Sequence, residues 1–120
     1  MFLSKFSYLK ERIIEAMTKL DVSKNKKAFD ILKESLMDSS KQVRINSIEA
    51  IMNSNMPESY ELIYDRLKYD DDFEVQQNAL VALYNISDRR ILDKVIKGEF
   101  SDELKIYAKE LIDEYEENDD

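Results

Sequence analysis

The side chains that could do chemistry are mostly carboxylates. The chain of 120 residues has 26 Asp and Glu, 18 Lys and Arg, and neither His nor Cys. That removes the imidazole base, the thiolate nucleophile, disulfides and the usual zinc ligands together. What remains is acid–base work by paired carboxylates, which needs one of the pair in a buried setting that shifts its pKa. Glu15 and Glu49 are the pair to consider. They sit in nearly the same words, "IEAM" at 14–17 and "IEAI" at 48–51. Residues that recur in one context occupy equivalent places in successive units, so they belong to a solvent face and do not form a tuned pair. The run Asp70, Asp71, Asp72 and Glu74 suggests calcium at first sight. An EF-hand spreads its ligands over about twelve residues around a central Gly, and this segment has neither feature. Carboxylates there suit the start of a helix, where free amide N–H groups make a positive end. The expectation is therefore no catalytic residue, no metal, no cofactor and no enzyme.

Charge bears on the partner. Residues 1–60 carry +2 and residues 61–120 carry −10. A phosphate backbone is attracted by a basic surface, and the small basic spots Arg89-Arg90 and Lys24, Lys26, Lys27 are too few to track one. Nucleic acid is a poor fit. No segment approaches the roughly 20 apolar residues of a membrane span. The opening "MFLSKFSYLKER" meets charge too early for a secretory signal, so a cytoplasmic setting is expected.

One Gly and one Pro in the whole chain argue against a turn-rich β fold. Apolar residues instead recur at helical steps of three and four. Phe6, Leu9, Ile13, Ile14 and Met17 form the first such stripe. A polar break at 21–27 separates it from Ala28, Phe29, Ile31, Leu32, Leu36 and Met37. Ser39 with Gln42, and Asp71 with Glu74, have the spacing of capping boxes before two further helices. Pro57 suits the first turn of a helix, Ser87 or Asp88 a cap, Gly98 a stop, and Ser101 or Asp102 the last start. About seven helices result.

The helices repeat. Residues 36–52 read "LMDSSKQVRINSIEAIM" and residues 67–84 read "LKYDDDFEVQQNALVALY". Leu36 matches Leu67, and past one extra loop residue Val43, Asn46, Ser47, Ile48, Ala50 and Ile51 match Val75, Asn78, Ala79, Leu80, Ala82 and Leu83. Upstream, Leu9, Ile14, Ala16 and Met17 match Val43, Ile48, Ala50 and Ile51. The match to Leu104, Ala108 and Ile112 is looser. Ala16, Ala50, Ala79, Ala82 and Ala108 lack bulk, which lets neighbouring helices approach to about 8–10 Å. A helix pair of this kind buries its apolar stripe only by stacking on the next. A plain helical bundle would use the same elements; the matched columns favour an all-α, right-handed α-α superhelix, a short solenoid of antiparallel helix pairs.

The pattern "L…D…VR…A…AL" across helix, turn and helix resembles HEAT-like repeats, in particular the short phycobilisome-lyase type. Residues 36–52 carry it best, with Asp38 and Val43-Arg44 in place. The resemblance implies about three and a half units over a single domain, 1–116, followed by an acidic tail, 117–120. Gln76 stands where a second Arg is expected, which interrupts the Asp-to-Arg ladder between units. By the same resemblance the second helices line a concave face that binds a protein or peptide. Its expected contact residues are Arg12, Ile45, Asn46, Glu49, Gln77, Asn78, Val81 and Tyr84. Val81 and Tyr84 replace Glu49 and Met52 in their columns and place apolar groups on a polar floor. Asn46 and Asn78 share a column, and their amides suit a peptide backbone. The resemblance also admits a non-catalytic subunit or assembly factor of a lyase-type complex, and, by analogy to HEAT-like glycosylases, a nucleic-acid binder. Phe2, Leu3 and Phe6 on the first helix could bury themselves on a second copy, giving a homodimer.

Overall fold

A computed structural model describes the backbone of residues 2–18 and 24–117, and the side chains of 8–18 and 24–116. Seven helices occupy the described residues: α1 (Phe2–Met17), α2 (Lys26–Ser35), α3 (Lys41–Ser54), α4 (Ser59–Tyr69), α5 (Phe73–Ile86), α6 (Arg90–Lys97) and α7 (Asp102–Glu117). The odd helices stack side by side in the order α1, α3, α5, α7, and each even helix packs on the odd helix that follows it. This is a layered array, a short solenoid, and not a set of helices gathered round one axis. The tail expected at 117–120 falls outside the described residues except for Glu117, the last residue of α7. Leu20 and the side chains of Phe2, Leu3 and Phe6 also fall outside them.

The matched columns are the core. Val43, Val75 and Leu104 are fully buried, as are Ser47, Ala79 and Ala108 one turn on, and Ala50 and Ala82 are nearly so. Ser47 is tolerated there because its hydroxyl donates to the Val43 carbonyl of its own helix at 2.7 Å. Ala16 departs from the expectation for the alanines: it is exposed. In α3 and α5 the column is covered by the neighbouring layer, whereas on α1 the described residues leave it uncovered.

The helix starts are shifted by a residue from the spacing in the sequence. Ser40, not Ser39, caps α3, its hydroxyl accepting from Val43 N–H at 3.3 Å. Asp72, not Asp71, caps α5, accepting from Glu74 and Val75. No capping box forms. The role of its acidic member is taken from upstream: Asp38 accepts the N–H of Ser40 at 2.9 Å, and Asp70 accepts that of Asp72 at 3.0 Å. Gln42 turns instead to Asn46 at 2.9 Å. Pro57 lies before α4 and not in its first turn; Ser59 closes that turn by accepting from Met56 N–H and donating to the Ile51 carbonyl. α2 begins at Lys26 behind the cap Asn25, inside the expected loop. α6 has no side-chain cap on its first turn, although Asp88 accepts from Arg90 N–H. Ser101 caps α7 as expected. Gly98 ends α6 because space requires it: a Cβ there would lie 2.7 Å from the Lys94 carbonyl oxygen.

Candidate functional site

The layer of odd helices presents two shallow clefts. Between α3 and α5 a space of about 160 Å³ is lined by Ile45, Glu49, Met52, Asn78, Val81 and Asn85, over a floor of Ile48 and Ala82. Between α5 and α7 a second, of about 220 Å³, is lined by Phe73, Gln77, Glu103, Ile106, Tyr107 and Glu110. Four of the expected contact residues, Ile45, Glu49, Asn78 and Val81, thus meet in the first cleft. Gln77 sits in the second. Glu49 and Glu15 are both exposed on their own helices.

The asparagine columns explain why the first cleft is open. From α3, Asn46 donates to the Glu11 carbonyl of α1 at 3.3 Å, and Asn53 donates to the Thr18 carbonyl at 3.3 Å. These two amides sew α3 to α1. Their repeat equivalents on α5 are Asn78 and Asn85. Asn78 turns back to the Glu74 carbonyl of its own helix at 2.8 Å and stays exposed. Asn85 reaches only the Met52 sulfur, at 3.7 Å, a weak acceptor. So α5 is not laced to α3 as α3 is to α1, and an apolar strip remains uncovered between them.

A family model for HEAT repeats matches residues 3–97. The chain belongs to the HEAT-repeat family. That match covers α1 to α6 and is to HEAT repeats in general, with no lyase-type variety singled out. No curated protein and no solved structure matches the chain.

The HEAT units are joined by a polar ladder with two rungs among the described residues. Asp38 and Asp70 occupy the same place in successive loops. Each takes a basic side chain from the odd helix of the previous unit: Lys10 of α1 reaches Asp38 at 2.7 Å, and Arg44 of α3 reaches Asp70 at 2.9 Å. Arg44 also donates to the carbonyl oxygens of Asp38 and Ser39, and Arg66 adds a contact to Asp70 at 3.3 Å. The third rung fails as expected at Gln76, which donates to the Leu67 carbonyl at 3.0 Å. The acidic cluster is thereby accounted for by structure: Asp70 anchors two guanidinium groups and Asp72 caps α5. Lys10 was the missed member, legible only as the residue matching Arg44.

The Asp38 carboxyl is held below its ordinary value. Burial opposes its charge, and the Lys10 ammonium, the Ser40 N–H and the Arg44 charge outweigh burial. A carboxyl whose pKa is lower folded than unfolded stabilises the fold above its unfolded value of about 4. That contribution is lost as pH falls through the folded value. Wild type is therefore expected to lose more stability than Asp38→Asn as pH falls from about 5 through the unfolded value of about 4 and below, measured by urea unfolding at each pH. Equal losses would show that Asp38 is not held low.

Tyr84 is half-buried and packs against α7. Its ring stacks on Tyr115 with centroids 4.4 Å apart and planes at 21°. Burial pushes the Tyr115 hydroxyl above its ordinary value. Arg12 lies exposed on α1, away from both clefts. Met52 also lines the first cleft and carries the column that Tyr84 fills in the next unit. No helix among the described residues is long and apolar enough to cross a membrane.

Proposed function

We propose that this HEAT-repeat chain is a non-catalytic, cytoplasmic interaction module that holds a peptide segment of a protein partner against α3 and α5. The observation that carries the reading is the open strip between those helices, where Asn78 declines the bridge that its counterpart Asn46 makes. The strip combines three kinds of group. Ile45, Met52 and Val81 offer an apolar seat, and a space of about 160 Å³ suits one aliphatic or small aromatic side chain. Asn78 and Asn85 offer amides that can pair with an extended backbone. Glu49, exposed at the rim, favours a basic residue beside the seated side chain. The chemistry selected is an apolar residue next to Lys or Arg in an extended segment. Phosphate finds no matching set of cations in the strip, so nucleic acid is not the ligand proposed.

A peptide library displayed against the full chain tests this. Selected peptides are expected to share an apolar–basic pair. Val81→Arg fills the seat with charge and is expected to weaken the best peptide at least tenfold by titration calorimetry, or about 1.4 kcal/mol. Asn78→Ala is expected to cost less, within a factor of about ten. Affinity unchanged in both variants, with helical circular dichroism intact, would remove the strip as the site.

A further inference from the structure

The second cleft has a different chemistry from the first. Its floor is aromatic: the rings of Phe73, at the start of α5, and Tyr107, on α7, meet edge to face with centroids 6.4 Å apart and planes at 77°. The rest of its lining comes mostly from α7. Glu103, Ile106, Tyr107 and Glu110 follow one another at helical spacing, so all four leave α7 on the side of the cleft. The two carboxylates thus stand one on either side of the Tyr107 ring along the helix, and both are exposed. The ion pairs among the described residues leave Glu103 and Glu110 out. Lys105 and Lys109 do not line the cleft. Burial pushes the Tyr107 hydroxyl above its ordinary value, and Tyr115, Glu114 and Glu110 push it the same way, as a negative local potential does. Toward the other end of α5 and α7 the stack of Tyr84 on Tyr115 fills the seam. What stays open is about 220 Å³. A cavity of roughly 150 Å³ holds a benzene ring, so this one admits a single long side chain.

We infer that the cleft between α5 and α7 is a pocket for one cationic side chain, a guanidinium or ammonium, carried by the same peptide that lies along α3 and α5. An apolar side chain would use the rings but strip water from two carboxylates without replacing it. An anion would meet their charge. A cation answers both kinds of group. It rests against a ring within about 6 Å of the centroid and donates to the carboxylates on either side. Arg suits best, because its planar guanidinium stacks on a ring and still donates from its edge. The first cleft differs at each of these points, with Ile45, Met52 and Val81 beside the single carboxylate of Glu49. The two clefts are neighbours: Val81 of the first and Gln77 of the second stand one turn apart on α5. Crossing from one to the other is one interhelix step, about 8–10 Å. A peptide in polyproline II form advances about 9 Å in three residues and returns to the same face. The cation therefore sits three positions from the residue seated between α3 and α5. That spacing rests on the peptide reading of the first cleft; the pocket itself stands without it.

Two probes on the full chain test this. The first is N-acetylargininamide, followed by nuclear magnetic resonance at the Ile106 methyl groups. Wild type is expected to bind it saturably, and the double variant Glu103→Gln, Glu110→Gln to bind it at least fivefold more weakly. The second is a capped peptide, Ser-Gly-Leu-Lys-Ser-Arg-Gly-Ser, compared by titration calorimetry with its citrulline form, which keeps the shape of the Arg side chain and removes its charge. Wild type is expected to prefer the arginine form at least tenfold. The double variant should lose that preference and still bind the citrulline form within twofold of wild type. Both glutamates are exposed, so helical circular dichroism should not change. Ile45→Ala, in the first cleft, is expected to weaken both forms by the same factor and leave the preference intact. Equal affinity for the two forms in wild type, with no shift at Ile106, overturns the pocket; if that binding still falls in Ile45→Ala, the peptide reading survives it. A preference that outlasts both glutamates places the cation elsewhere and overturns the pocket as well. Shifts at Ile106 without binding of either peptide support the pocket and overturn its link to the first cleft. Silence from both probes overturns both.

Discussion

Asp70→Ala is expected to lower the free energy of unfolding by about 3–5 kcal/mol. The carboxylate side chain is 1% exposed and stands between Arg44 and Arg66, each 12% exposed. Removing it strands two largely buried guanidinium charges, and breaking such a pair costs more than the pair itself was worth. The same substitution takes away the acceptor for Asp72 N–H, so the cap of α5 loosens together with the joint between units. The melting temperature is expected to fall by roughly 10–20 °C. Urea unfolding followed by circular dichroism measures the change as a shift in midpoint at unchanged slope. Asp71→Ala, one residue away and exposed, is the control and should stay within about 0.5 kcal/mol of wild type. A loss for Asp70→Ala of under about 1 kcal/mol would mean that the ladder does not hold the units together.

Ala79→Leu is expected to cost about 3 kcal/mol, the upper part of the range for adding bulk to a packed interior. Ala79 is fully buried on α5, which packs on α3, α4, α6 and α7. Three added methyl-sized groups have nowhere to go without driving a neighbouring helix outward, and a solenoid transmits that displacement to each later unit. Ala16→Leu is the matching test. Ala16 occupies the column of Ala50 and Ala82 but is exposed, so this change should stay within about 0.5 kcal/mol. Thermal unfolding of the two variants side by side decides the matter. Similar losses in both would show that small size at these columns is not what sets the spacing of the layers.

The strip between α3 and α5 was half legible from the sequence. Ile45, Glu49, Asn78 and Val81 were found because they lie beside the apolar columns on their helices, and helical phase alone puts such residues on the outward side. Asn46 and Tyr84 were read with the same logic and landed elsewhere, one bonded to α1 and the other stacked on Tyr115. Helical phase says which way a side chain leaves its own helix. It does not say whether another helix stands there to receive it.

The repeat spacing, the seven helices and the HEAT family followed from periodicity, because burial of one stripe per helix is a local requirement written into every turn. The columns of small and large residues fixed which helices must stack. Three things belonged to the tertiary structure alone. The caps moved by one residue because Asp38 and Asp70 reach forward to the cap amides, a bond that sequence spacing between Ser39 and Gln42 does not reveal. The ladder gained Lys10 because that residue meets a loop 28 positions later. Ala16, Leu9 and Ile13 are exposed because no other described helix stands against those columns on α1, as one does in α3 and α5. Each depends on what lies across a gap from a residue, and a sequence records only what lies before and after it.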